Sequence, residues 1–141
     1  TTSTAKAAYE KKIQKVRELR EKRVAKYVKL ATGVLTPAQR GLYFGPKLYE
    51  AARRLLYGVS LSGDQPKRAL KICMDIAAAY EGDSSTRQSY ILKASREIQS
   101  KLFTAEQKYQ YRANKKEADQ RERDRKRREA QARASQNKSS S

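Results

Sequence analysis

The apolar positions near the N-terminus recur at spacings of three and four residues, which is the period of an α-helix. Over residues 4–31 the other positions carry ten Lys or Arg against three Glu, a net charge of +7. Gly33 follows and is expected to end the helix. The pattern predicts a basic amphipathic helical arm over residues 1–34, whose apolar stripe is Tyr9, Ile13, Val16, Val24, Tyr27, Val28 and Ala31.

A small helical core is expected over residues 35–103, where the apolar faces are densest. Residues 36–39 (Thr-Pro-Ala-Gln) match a capping box with Pro at the first helical position. The short helix that starts there should reach about Tyr43, because residues 45–46 (Gly-Pro) are expected to break it. A new helix should follow and stop at a left-handed Gly58, with an apolar face of Leu48, Ala51, Ala52, Leu55 and Leu56.

Two further helices complete this core. Asp64 is the expected N-cap of the first helix, and Gly82 should end it. Residues 83–85 (Asp-Ser-Ser) supply a cap for the next helix. The connections are too short for anything but antiparallel neighbours, and no segment alternates with a period of two, so we expect no sheet. The predicted inward faces are Ala69, Leu70, Cys73, Ile76, Ala77 and Tyr80, then Tyr90, Ile91, Ala94, Ile98, Leu102 and Phe103.

The last segment, residues 104–141, has no continuous apolar stripe. It opens with a second capping-box pattern at residues 104–107 and contains no Gly or Pro. Its twelve basic residues stand against six acidic ones, and spacings such as Glu117–Arg121 and Glu129–Arg133 support a helix in water. The chain is therefore predicted to be all-α, a small antiparallel helical core with long basic helical N- and C-terminal arms, the second arm ending in a Ser-rich coil beyond about residue 134.

Composition excludes most catalytic chemistry. The chain has no His, no Trp and a single Cys, Cys73, so it lacks the residues for zinc sites built on Cys and His and for Ser/His/Asp or Cys/His catalysis. Cys73, between Ile72 and Met74, is expected to be a small buried apolar residue. We predict no enzyme activity, metal, cofactor or small-molecule substrate. The longest weakly charged run, residues 72–80, is too short to span a membrane.

The charge balance predicts a negatively charged partner. The chain carries 33 Lys and Arg against 15 Asp and Glu, a net charge of +18, which favours binding to a polyanion or to acidic protein surfaces. The predicted polyanion-binding residues are Lys11, Lys12, Lys15, Arg20, Arg23, Arg121, Arg125, Arg127 and Arg128. Tyrosines near basic residues are predicted aromatic anchors for bases or a protein, although Tyr is also ordinary filler on amphipathic helices: Tyr43, Tyr49, Tyr57 and Tyr109.

Each basic helix has competing interpretations. The first fits a nucleic-acid arm, a helix on a membrane surface or an ordinary helix with a solvated basic face. In the last, residues 121–130 superficially resemble the basic region of leucine-zipper DNA-binding proteins. We reject that likeness because no leucine heptad follows. The remaining alternatives there are sequence-independent phosphate contact and a solvated charged helix.

These observations favour a non-catalytic structural subunit of a large assembly. The preferred hypothesis is an RNA-binding protein of an organellar ribosome that contacts rRNA, located in a soluble compartment of a mitochondrion or chloroplast. The alternative is a basic linker or accessory subunit that joins acidic protein surfaces in an organellar respiratory or light-harvesting complex. A chain that begins at Thr1 fits a processed protein and equally a fragment.

Overall fold

The computed structural model describes residues 2–139. It contains five α-helices: α1 (Thr2–Val34), α2 (Pro37–Arg54), α3 (Gln65–Ala77), α4 (Arg87–Leu102) and α5 (Ala105–Ser139). A short 3₁₀ turn at Ser84–Thr86 precedes α4. No strand occurs among the described residues, so the predicted all-α fold is confirmed. α5 continues past the expected end at about residue 134, and the rest of the predicted coil, residues 140–141, lies outside the described residues, as does Thr1.

The core is formed by α2, α3 and α4, each of which packs on the other two. The start of α2 meets the end of α3, where Arg40 Nε donates to the Ala78 carbonyl at 3.0 Å. The start of α3 meets the end of α4, where Gln65 Nε2 donates to the Leu102 carbonyl at 2.6 Å. Consecutive core helices are therefore antiparallel. Apolar residues from all three helices and their flanking turns fill the centre, among them Leu48, Ala52, Leu56, Ala69, Cys73, Ile76, Ala94, Ile98 and Phe103.

The predicted break at residues 45–46 is wrong, because α2 runs unbroken through Gly45 and Pro46. Gly41 and Gly45 lie one turn apart on α2, directly against Met74 of α3. A Cβ atom on Gly41 would lie 2.7 Å from the Met74 carbonyl oxygen, and one on Gly45 would lie 2.5 Å from Met74 Cγ. The two glycines therefore allow close helix packing. Pro46 lies on the exposed side of α2, where water can hydrate the carbonyl group that it leaves without a partner.

The helix ends follow the sequence signals in most places. Both predicted capping boxes form, at residues 36–39 and 104–107. Gly58 has the predicted left-handed φ, which is +77°. Asp64 is the N-cap residue of α3, as predicted, but its side chain makes no cap hydrogen bond. The Ser62 amide, in the turn before α3, donates to Gln65 Oε1 at 3.0 Å.

α1 joins the core at its C-terminal end. Thr32 is the buried residue of this helix, and it lies against Gly82, where an added Cβ atom would come within 2.6 Å of Thr32 Oγ1. Arg40 donates to the Leu35 carbonyl at 3.3 Å, which ties the α1–α2 junction to the core. Gly33 is contained within α1 rather than ending it. Over residues 2–139 no helix combines the length and the apolar character that crossing a membrane requires.

Candidate nucleic-acid interface

α5 sorts its charges onto different sides. With about 100° of rotation per residue, eight of its twelve basic residues fall within an arc of about 120°. All eight are exposed, and Asp119 is the one carboxylate in that arc. Its residues span 25 helical steps, about 38 Å of helix axis. We name this surface the α5 basic face; it consists of Lys108, Arg112, Lys115, Lys116, Arg123, Lys126, Arg127 and Arg133.

The remaining sides of α5 are close to electrically neutral, and two of their arginines pair with carboxylates. Arg121 contacts Glu117 at 2.5 Å, and Arg125 bridges Glu122 at 2.6 Å and Glu129 at 2.7 Å. The hydrogen bond from Arg125 lowers the pKa of the Glu122 carboxyl group. Any stabilisation from that pair is therefore present above the usual carboxyl pKa and is lost as pH falls through the lowered value. These exposed pairs support the helix and contribute little to stability.

The start of α5 is held on the core by paired amide groups. The amides of Gln65 and Gln107 donate to each other, at 2.8 and 2.9 Å. Gln107 also donates to the Ser60 carbonyl at 3.0 Å. Since Gln65 also bonds Leu102 at the end of α4, this cluster joins the start of α3, the end of α4 and the first turn of α5.

The next two turns of α5 pack on the loop after α2. Asn114 Nδ2 donates to the Tyr57 carbonyl at 2.8 Å. The Tyr111 ring meets the Tyr57 ring edge to face, with centroids 5.5 Å apart, and also contacts Phe103 at 6.1 Å. Tyr57 itself has a left-handed φ of 50°, and its carbonyl group faces α5. The core therefore fixes the direction in which the α5 basic face projects.

Replacing Gln107 by Ala should loosen this attachment. The substitution leaves the buried Gln65 amide without part of its hydrogen bonding, so we expect the free energy of unfolding to fall by about 1–3 kcal/mol. Amide hydrogen exchange over residues 105–118 should accelerate. Gln110→Ala is the matched control, because Gln110 is exposed on the same helix turn. Equal exchange in both variants would show that the amide cluster does not hold α5.

α1 also carries its lysines and its exposed apolar residues on different sides of the helix. Its lysine face, Lys11, Lys15, Lys22, Lys26 and Lys29, lies about 180° around the helix from Ile13. Among the residues predicted from sequence, Lys11 and Lys15 belong to this face and Lys12 lies at its edge. Arg20 and Arg23 lie instead among exposed apolar residues on the other side of α1.

The four α5 arginines predicted from sequence to bind a polyanion lie on different sides of the helix. Arg127 lies on the α5 basic face, Arg121 and Arg125 form ion pairs, and Arg128 lies off that face. Their role in polyanion binding stays a prediction.

The four candidate aromatic anchors fall into two pairs. Tyr49 packs against the core, beneath the Arg53 guanidinium at 5.6 Å, and Tyr57 packs against the Tyr111 ring of α5. Tyr43 is 56% exposed and lies beneath Lys47 Nζ at 4.3 Å. Tyr109 is 73% exposed at the edge of the α5 basic face. Tyr109 is therefore the anchor placed to stack on a base beside a row of cations.

Cys73 is fully buried in the core. Burial, with a smaller contribution from Glu97, raises the pKa of its thiol to about 12 from an ordinary 9.0. The fold therefore favours the protonated thiol, and the associated stability is complete below pH 9.0 and is lost as pH rises toward 12. A protonated, inaccessible thiol is a poor nucleophile.

We expect Cys73 to be inert toward a thiol-reactive disulfide at neutral pH and to react once denaturant unfolds the core. Cys73→Ala should leave the predicted polyanion binding unchanged and cost at most about 2 kcal/mol of stability. Absorbance of the released thiolate measures the reaction. Rapid stoichiometric reaction of the folded chain would contradict this burial and would reopen a chemical role for the thiol.

The core surface also has one hollow that could serve as an alternative site. It has a volume of about 510 Å³, lies between α3 and α4, and is lined in part by Asp75, Lys93 and Glu97. Asp75 and Lys93 are exposed. Among the described residues, every buried polar side-chain atom has a hydrogen-bond partner, and no three His, Cys, Asp or Glu side chains are grouped to hold a metal ion.

Sequence reasoning missed Gln65, Gln107 and Asn114, the polar residues that attach α5 to the core. The spacing of Gln107, Tyr111 and Asn114 is helical, which was an available signal, but polar residues on a charged helix do not mark a packed face by themselves. No family model, no curated protein and no solved structure matches this chain.

Proposed function

We propose that this chain is a non-catalytic structural subunit of a large ribonucleoprotein. In this proposal its basic helices neutralise RNA phosphates. The observation that carries it is the α5 basic face: eight cations and one carboxylate on one side of a helix whose first three turns are held by the core. Such a row suits a continuous phosphate backbone better than a compact acidic site.

The chemistry of the face favours contact that is independent of RNA sequence. Lys and Arg bind phosphate oxygens strongly, and such contacts position a protein without reading bases. The exposed Tyr109 ring adds a stacking surface that accepts any base. The α1 lysine face supplies a second cationic row toward the same class of partner. The assembly we propose is an organellar ribosome, in a soluble compartment of a mitochondrion or chloroplast, with rRNA as the main partner.

Competition between two polyanions tests the proposal against an acidic protein surface as the partner. A fluorescently labelled single-stranded RNA is bound to the full chain and then challenged with unlabelled RNA or with polyglutamate of equal total charge. We expect unlabelled RNA to displace the probe at much lower concentration, because phosphate contact and base stacking act together. Equal displacement by polyglutamate would contradict RNA binding and would favour the linker function.

A further inference from the structure

A heptad pattern follows the exposed apolar side of α1. Starting at Tyr9, steps of four and three residues alternate without a break to Val34, at positions 9, 13, 16, 20, 23, 27, 30 and 34. This is the spacing of the a and d positions of a coiled coil. Six of these eight positions are Tyr, Ile, Val or Leu, and the two central ones are Arg20 and Arg23. We name this row the α1 seam.

The α1 seam has no partner within the described residues. Tyr9, Val16, Tyr27 and Val34 are 66%, 63%, 70% and 84% exposed. The helix meets the core on another side, through the buried Thr32. The second half of α5 cannot cover the seam by the same chemistry, because it is itself basic and its apolar residues are alanines. The seam is about 38 Å long, enough for seven turns of a partner helix.

From this pattern we infer that the α1 seam binds an acidic amphipathic helix of another protein, which places carboxylates opposite Arg20 and Arg23. A charged residue at a core position of a coiled coil fixes register and partner, because an unpaired charge there is costly. Lys12 and Lys26 occupy one flank of the seam, and Arg17 and Glu10 occupy the other, so the flanks carry three cations and one carboxylate. These flanking positions favour a partner with Glu or Asp along its own flanks.

The same charges disfavour a second copy of this chain. In a parallel dimer Arg20 would face Arg20 and Arg23 would face Arg23, and in a centred antiparallel dimer each Arg20 would face Arg23. Both arrangements oppose like charges at the middle of the interface. A lipid surface is also a poor match, since α1 contains neither Trp nor Phe and its narrow apolar row is interrupted by two arginines.

A synthetic peptide can test this inference directly on the full chain. The probe is a helix with eight core positions, Leu at six of them, Glu at the two central ones and Glu along both flanks. Because the two arginines lie at the centre of the seam, this peptide matches them in either orientation. We expect it to bind and to slow amide hydrogen exchange over residues 9–34, whereas a peptide of the same composition with a scrambled heptad should not.

A charge swap then locates the contact. Arg20→Glu with Arg23→Glu should weaken binding of this peptide by about tenfold or more and should restore binding to a peptide with Lys at the two central positions. The control Lys15→Glu with Lys22→Glu makes the same change in net charge on the lysine face and should alter affinity by less than about threefold. Equal loss in both variants, or equal binding of the scrambled peptide, would overturn the inference.

Three other outcomes would also overturn it. A dimer in sedimentation equilibrium that Val16→Asp abolishes would assign the seam to a second copy. Tighter binding to phosphatidylserine-containing vesicles than to the peptide, lost in Val16→Asp, would assign it to lipid. If the Arg20 and Arg23 reversals weaken RNA binding while peptide binding is unchanged, the two arginines contact phosphate, as the sequence predicted. That last result would leave RNA binding by α5 intact.

Discussion

Replacing four cations of the α5 basic face by Gln is expected to weaken RNA binding by about 10²- to 10³-fold at 0.1 M salt, because each lost phosphate contact contributes roughly 0.7 log unit there. The variant combines Lys115→Gln, Lys116→Gln, Arg123→Gln and Lys126→Gln. Gln has a helix propensity close to that of Lys and Arg, so α5 should keep its helicity. Fluorescence anisotropy of a labelled RNA measures the affinity, and far-UV circular dichroism checks the helix.

A matched control separates this face from net charge alone. Lys67→Gln, Arg68→Gln, Lys71→Gln and Lys93→Gln remove the same four charges from exposed positions on α3 and α4. Both variants lower the formal charge from +18 to +14. The control should weaken binding by less than about tenfold, through the long-range field only. Comparable losses of affinity in the two variants would mean that RNA binding depends on the net charge of the chain and not on its position. The α5 basic face would then not be a dedicated binding surface.

Gly41→Ala combined with Gly45→Ala should strongly destabilise the core. The methyl groups would enter space already occupied by the backbone and side chain of Met74, at 2.7 and 2.5 Å. Overpacking of this kind costs about 1–3 kcal/mol per site, and small domains have only about 5–15 kcal/mol in total. Urea denaturation followed by circular dichroism should show a lower midpoint, with a loss of about 3 kcal/mol or more for the pair.

Gly33→Ala is the internal comparison for this prediction. Gly33 is helical in α1, and no atom lies within 4 Å of the position that its Cβ would take. Ala should therefore raise the helix propensity of α1 by about 1 kcal/mol without steric cost. Equal stability of the Gly41/Gly45 pair variant and the native chain would show that α2 and α3 are farther apart than described.

The fold could be predicted where local signals and packing agree. The capping boxes at residues 36–39 and 104–107 and the left-handed Gly58 follow from side-chain chemistry within a few residues. The continuity of α2 could not be predicted in this way. Gly and Pro at residues 45–46 are local helix breakers, but their cost is offset by the close approach of α3 at Met74, a contact between positions about 30 residues apart in sequence.

For the candidate interface, only the sign of its charge could be predicted from the sequence. A net charge of +18 indicates an anionic partner. Residues 121–128 are dense in arginine, which predicted a binding site there. A helix, however, places consecutive residues on different sides. Arg121 and Arg125 consequently meet carboxylates on α5, whereas Lys115 and Lys126, eleven residues apart, share one face. Glu129 pairs with Arg125 in place of the expected Arg133, although each arginine lies four residues from it along α5.

The salt dependence of RNA affinity tests the central claim most directly. If the α5 basic face binds phosphates, log affinity should fall linearly with log salt concentration, with a slope of about −5 to −6 for eight contacts at roughly 0.7 each. The α5 variant with four Gln substitutions should show a slope shallower by about 3, and the α3/α4 control should keep the native slope. Tyr109→Ala should lower affinity and leave the slope unchanged. A shallow native slope that the α5 substitutions do not alter would contradict the proposal that this face binds RNA.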